Sequence, residues 1–149
     1  MKKKVLLLLG PNLNLVGIRE KSVYGEVNAE TIEDNVKKYG ESIGIEVTVF
    51  QSNWEGALID EIHKARTVYD AVIINPGALT HYSYALHDAI KGVSIPFIEV
   101  HMSNIYGRDD FRHTSVTAKE CIGQIAGMGK ISYKMAMCAF KEMIDKDQL

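Results

Sequence analysis

Apolar and polar positions alternate with two different periods along this chain. The unbroken apolar run at 5–9 predicts a strand over 4–9 that is buried on both faces and ended by Gly10-Pro11-Asn12. Ile32, Val36, Tyr39 and Ile43 then recur at helical spacing behind Asn28, which can cap the helix, and Gly44 is placed to stop it. Ile45, Val47 and Val49 alternate with Glu46 and Thr48, the pattern of a half-buried strand at a sheet edge. Ser52-x-x-Glu55 matches a capping box for a second helix that turns Leu58, Ile62 and Ala65 inward. Residues 71–74 predict a central third strand, ended by Asn75-Pro76-Gly77. A third helix is expected from about Thr80 to Lys91, a fourth strand over 96–100 and a fifth over 121–126. Gly127 and Gly129 make a turn, and an amphipathic helix closes the chain over 131–145.

Strands alternating with helices predict a parallel sheet covered on both faces. The expected fold class is α/β: one flavodoxin-like, doubly wound domain over residues 1–149, with five strands in the order 2-1-3-4-5. In such a fold the ligand crevice lies beyond the carboxyl ends of the strands at the topological switch point. The polar clusters at 10–14, 75–81 and 99–104 each follow a predicted strand, so all three are expected on one rim. Two long polar stretches, 13–27 and 101–120, are the natural places for binding loops.

Composition narrows the options. A 149-residue chain with 46% hydrophobic residues suits one filled core, and 17 Lys+Arg against 19 Asp+Glu leave a net charge of −2, with no basic field for nucleic acid or an anionic membrane. The first apolar run is too short for a signal peptide or a membrane span, so a cytoplasmic location is expected. Cys121 and Cys138 lie among apolar neighbours and are expected as buried free thiols. Neither GxGxxG nor GxxxxGK[ST] occurs, which removes the strongest support for a nucleotide or a flavin; Asn75, where a receiver would need an acid, cannot be a phosphoacceptor. His63, His81, His87, His101 and His113 form no metal-ligand spacing, and no metal or cofactor is expected.

What remains is acid–base chemistry by side chains. His101, with Glu99 two residues before it and Ser103 and Asn104 after it, is the best single candidate, against the alternative of a satisfied rim histidine. Arg19, Arg108 and Arg112 can bring positive charge to the same crevice, and cations beside Tyr24 favour its phenolate, a base near neutral pH. The alternative for Tyr24 is a loop tyrosine packed on the sheet edge.

Six motifs occur in order: Gly10-Pro11-Asn12-Leu13-Asn14-Leu15; Arg19-Glu20 with Val23-Tyr24-Gly25; Gln51-Ser52-Asn53; Asn75-Pro76-Gly77-Ala78; Glu99-Val100-His101-Met102-Ser103-Asn104; and Phe111-Arg112-His113. With them the chain resembles the type II 3-dehydroquinate dehydratases from Val5 to about Met137. The resemblance implies dehydration of 3-dehydroquinate to 3-dehydroshikimate by anti elimination through an enolate, without cofactor or metal. It implies Tyr24 as base, Arg19 as the residue that lowers its pKa, His101 as acid oriented by Glu99, and Asn12 as holder of a water at the enolate oxygen. The substrate carboxylate is then expected at the amides of Met102 and Ser103, and its hydroxyls at Asn75, His81 and Arg112, with Arg108 in the same crevice. Asp88, seven residues after His81 and so expected on its helical face, would reach a neighbouring subunit's site in a homododecamer, a tetramer of trimers. Trp54, Leu79 and Tyr106-Gly107 depart from the usual family residues. Trp54 and Leu79 are the sequence support for a rival reading, a noncatalytic module that binds a small carboxylate.

Overall fold

The computed structural model describes residues 1–18 and 28–149. Five strands, β1 (Lys3–Leu9), β2 (Ile45–Gln51), β3 (Ala71–Asn75), β4 (Phe97–His101) and β5 (Gly123–Ala126), form a parallel sheet in the order β2-β1-β3-β4-β5. The helices among the described residues are α1 (Ala29–Ser42), α2 (Glu55–Val68), α3 (Tyr84–Lys91) and α4 (Ile131–Asp145). None of them is long and apolar enough to cross a membrane.

Alternation along each strand builds two cores, because successive side chains leave opposite faces of the sheet. Val5, Leu7, Leu9, Ile73 and Val100 meet Ile32 and Val36 of α1 and Tyr133, Met137 and Phe140 of α4. Leu6, Leu8, Val72, Ile74 and Phe97 meet Leu58 and Ile62 of α2 and Leu86 and Ile90 of α3. With β1 register-paired to β2 on one side and β3 on the other, Leu7 lies between Val49 and Ile73 and is wholly buried. This is why β1 reads as a continuous apolar run, whereas β2, at the edge, alternates.

Asn28 caps α1 as expected, its side chain accepting from the Thr31 amide at 2.8 Å, and Gly44 takes the left-handed conformation at φ 79° beyond the helix. The capping box at Ser52 does not form. Ser52 is still tied to the sheet through its amide to Leu9 O at 3.0 Å, so the helix begins later, and Glu55 accepts from Ser83 Oγ at 2.7 Å. The third helix starts at Tyr84, not Thr80, because Gly77–His81 first forms a 3-10 turn and Ser83 caps α3 through the Leu86 amide at 3.0 Å. His81 therefore precedes the helix that carries Asp88, and the two do not share a helical face. The fifth strand begins at Gly123, after a 3-10 turn, Ala118–Glu120, closed by the Cys121 amide on Ala118 O.

The cysteines depart from expectation. Cys138 is exposed, one position past the buried stripe of α4, with Sγ 2.9 Å from Tyr39 Oη. Cys121 is half-buried, and burial, with Glu99 and Glu120 adding to it, pushes its thiol far above the ordinary range.

At the switch point the loops after β1 and β3 press together. The Gly10 amide donates to Asn75 O at 2.8 Å, and a Cβ on Gly10 would fall 2.4 Å from Pro76 O. Gly10→Ala forces two backbones apart and is expected to cost about 2 kcal/mol or more, read as a lowered denaturant midpoint. Gly56→Ala, in α2 with nothing within 4 Å of the added carbon, is expected to leave the midpoint unchanged or raise it, by up to about 1 kcal/mol.

Candidate active site

The carboxyl ends of β1, β3 and β4 open on a cavity of about 720 Å³, lined by Asn12, Asn75, His101, Met102, Ser103, Arg108 and Arg112 among others. All three polar clusters that follow predicted strands thus reach one rim. The loop after β1 is held from β2: Gln51 Nε2 donates to Gly10 O and to Asn53 Oδ1, each at 3.2 Å, and Asn53 Oδ1 also accepts from the Asn12 amide at 2.9 Å. Asn12 itself takes the left-handed conformation at φ 69°, which asparagine tolerates better than most residues, and is exposed at the cavity. Beyond it, the backbone hydrogen bond from Ala29 to Val16 O at 3.2 Å joins the two sides of the segment 19–27. Tyr24 and Arg19, the expected base and its cation, lie outside the described residues.

His101 and Glu99 are buried together, 3% and 0% exposed, with His101 Nε2 at 3.0 Å from Glu99 Oε2. Oε2 also accepts from Ser115 Oγ at 2.8 Å and Gln124 Nε2 at 2.7 Å, while Thr117 Oγ1 donates to Oε1. Burial alone would raise the Glu99 carboxyl, but the hydrogen bond and charge of His101, joined by Thr117 and Gln124, outweigh it and hold the group below the ordinary carboxylate range. Glu99 is therefore an anion that accepts Nε2–H. Neutral His101 keeps its proton on Nε2, and Nδ1, without a hydrogen-bond partner among the described residues, is the nitrogen left for the cavity. A proton loaded on Nδ1 is in place for delivery to a bound molecule.

The other expected residues take distinct places. Asn75 is buried, its Nδ2 donating to Tyr133 Oη at 2.9 Å and its Oδ1 accepting from the Gly77 amide at 3.2 Å. His81 is not in the cavity lining; its Nδ1 meets Thr114 O at 2.8 Å, and its Nε2 is buried without a hydrogen bond. Since a carbonyl can only accept, Nδ1 carries the proton and Nε2 is a bare acceptor. Burial, followed by the charges of Arg112, His101 and Arg108, holds His81 below its usual range despite the Thr114 bond. Arg108 donates to Ser103 Oγ, Arg112 lies 4.8 Å from the Phe111 ring centre, and neither forms an ion pair among the described residues. The amides of Met102 and Ser103 make no backbone hydrogen bond there. Asp88 is exposed on α3 and outside the lining. Trp54, exposed, and Leu79, buried, also lie outside it, so the departures behind the noncatalytic reading do not alter the cavity wall.

Sequence reasoning missed Ser115, Thr117 and Gln124 as partners of Glu99, and His113, whose Nε2 meets Arg108 O at 2.6 Å and braces the loop that carries both arginines. The one available signal was Gln124, a polar residue in a predicted strand.

A doubly wound sheet with a buried His–Glu pair at its switch point, and with guanidiniums there that form no ion pair among the described residues, is a layout suited to acting on a small anion. The chain belongs to the class II dehydroquinase family, whose model matches residues 3–141. It is 57% identical over 144 residues to a 3-dehydroquinate dehydratase of Caldicellulosiruptor bescii, spanning 96% of this chain and 99% of that one, and 55% identical to one of Bacillus cereus strain AH187, spanning 95% and 97%. The crystal structure of type II dehydroquinase from Butyrivibrio crossotus DSM 2876 superposes with a TM-score of 0.91 at 50% identity, covering 93% of this chain and 97% of that chain. The Propionibacterium acnes type II dehydroquinase superposes at 0.92 with 38% identity, covering 95% and 98%.

Two acid-sensitive steps in stability follow. His81, held below its ordinary 6.5, and Glu99, held below its ordinary 4.5, each contribute stability that is complete above those values and lost as pH falls through the lower folded-state value. Urea midpoints are expected to decline first below about pH 6.5 and again below about pH 4.5. His81→Asn is expected to flatten the first decline alone, and Glu99→Gln the second.

Proposed function

We propose that this chain dehydrates 3-dehydroquinate to 3-dehydroshikimate, the reaction named by its family, with His101 as the acid and Tyr24 as the base. The observation that carries the reading is the His101–Glu99 pair, which leaves Nδ1 for a cavity edged by Arg108 and Arg112, neither in an ion pair among the described residues. The Tyr24 phenolate takes the proton beside the ketone, and the electrons of that C–H bond form the enolate. The C–O bond on the neighbouring carbon then breaks as the enolate collapses to the enone, and His101 protonates the departing hydroxyl, so water leaves. Net proton return from Tyr24 to His101 through solvent resets the pair. Arg19 favours the phenolate and Asn12 holds a water at the enolate oxygen, because a proton beside a ketone is too weakly acidic for a phenolate unless the enolate is stabilised in place.

Substrate binding follows the same logic. The amides of Met102 and Ser103, which make no backbone hydrogen bond among the described residues, suit a carboxylate, with Arg108 and Arg112 supplying charge. The bare Nε2 of His81 suits a ring hydroxyl, as does Asn75, whose amide is held in place by Tyr133. Asp88, exposed on α3 away from its own cavity, serves a neighbouring subunit in a dodecamer built as a tetramer of trimers, in a cytoplasmic enzyme.

Tyr24→Phe and His101→Ala are each expected to lower kcat by roughly 10²-fold or more with circular dichroism unchanged, followed by the absorbance of the conjugated product. Near-normal turnover in either variant removes that residue from its role. Arg19→Ala is expected to raise the apparent pKa of the base in the pH–rate profile and to lower kcat more than it raises KM.

A further inference from the structure

We propose that Gln124, on the outer strand β5, is a positioning residue for proton delivery: its carboxamide, 2.7 Å from Glu99 Oε2, completes the donor set that keeps the His101 ring turned with Nδ1 to the cavity. The inference rests on the acid role given to His101. Register places Gln124 opposite Glu99 across the β4–β5 pair, so this donor comes from a different element than the pair it holds.

Oε2 divides its charge among His101 Nε2 at 3.0 Å, Ser115 Oγ at 2.8 Å and Gln124 Nε2 at 2.7 Å. Among the described residues, the other donors to Glu99 are already committed. Ser115 already serves Oε2 while its oxygen accepts from the Ala118 amide at 3.0 Å, and Thr117 serves Oε1. With the carboxamide gone, Oε2 concentrates its charge on the imidazolium, which holds its proton more tightly and becomes a poorer acid.

Several ionisable groups surround this pair among the described residues. His81 interacts with His101 and, like it, lies near Arg108 and Arg112; Cys121 faces Glu99 from the turn before β5; and Tyr133 of α4 reaches Asn75 at the end of β3. An uncharged replacement of Gln124 changes none of these charges, so a moved titration reports the lost hydrogen bond.

The test follows the His101 titration by ring-nitrogen NMR together with the pH dependence of kcat. Gln124→Met, of similar length and without a donor, is expected to raise the His101 midpoint by about half a unit, roughly threefold in proton affinity. Its kcat is expected to fall about 3- to 10-fold with KM nearly unchanged, and the alkaline limb to move upward with the midpoint. Gln124→Glu sets a second carboxylate against Glu99; it is expected to lose more activity at neutral pH and to recover part of it on acidification, when the new acid again donates to Oε2. A side chain that only fills space would give no such acid rescue.

An unmoved His101 midpoint in folded Gln124→Met overturns the proposal. If that variant does not fold, Gln124→Glu decides, and a His101 midpoint there equal to that of the unsubstituted chain overturns it. A chain that does not dehydrate 3-dehydroquinate, yet whose His101 midpoint responds to Gln124, overturns the catalytic reading and leaves the hold of Gln124 on Glu99 supported.

Discussion

A full negative charge sits inside this protein, on the Glu99 side chain with none of its surface exposed, and much of the rim is arranged around that fact. An isolated buried carboxylate costs several kcal/mol, so it persists as an anion only where hydrogen bonds replace its water. His101 from β4, Ser115 and Thr117 from the chain after it, and Gln124 from β5 supply those bonds. The demand reaches outward: Thr80 joins both hydroxyls, at 2.7 and 2.9 Å, and the rings of His81 and His87 meet the carbonyls of Thr114 and Val116 at 2.8 and 2.9 Å. A single ionised group thereby orders a stretch of chain with no helix or strand of its own.

The same charge separates the tasks of the two ring nitrogens of His101. One is committed to the Glu99 carboxylate, which fixes the orientation of the ring, and the proposed acid role falls to the other. His81 repeats the device with a backbone carbonyl in place of a carboxylate, and there burial, followed by the neighbouring positive charges, outweighs that bond and holds the ring below its usual range. The cavity beside His101 lies at the switch point, where the loops after β1 and β3 press together through Gly10 and Pro76.

Much of the architecture was legible because burial writes a period into a sequence. The five-residue apolar run of β1 and the alternation of β2 place one strand inside the sheet and the other at its edge, and the bounds of α4 fall where the pattern puts them. The errors came where local signals met a tertiary tie. Ser52 carries a capping sequence but is bound to Leu9 O, and Thr80 has helical neighbours but is drawn into the hydroxyl network behind Glu99. Cys138 has apolar neighbours in sequence, yet a helix turns it outward.

The site divides in the same way. Position at the end of a strand singled out Glu99, His101 and Asn75, and the loop after the fourth strand Arg108 and Arg112, because in a doubly wound fold those positions are themselves a statement about the rim. Ser115, Thr117 and Gln124 carry no such mark, since a hydroxyl or an amide is as common on a surface as in a network. By itself the sequence determined the elements, their order and the family, through periodicity and contiguous motifs that need only near neighbours. Which nitrogen of His101 faces the cavity, and which groups keep Glu99 charged, depended on contacts spanning up to 25 residues, and only the folded chain brings those groups within hydrogen-bonding distance.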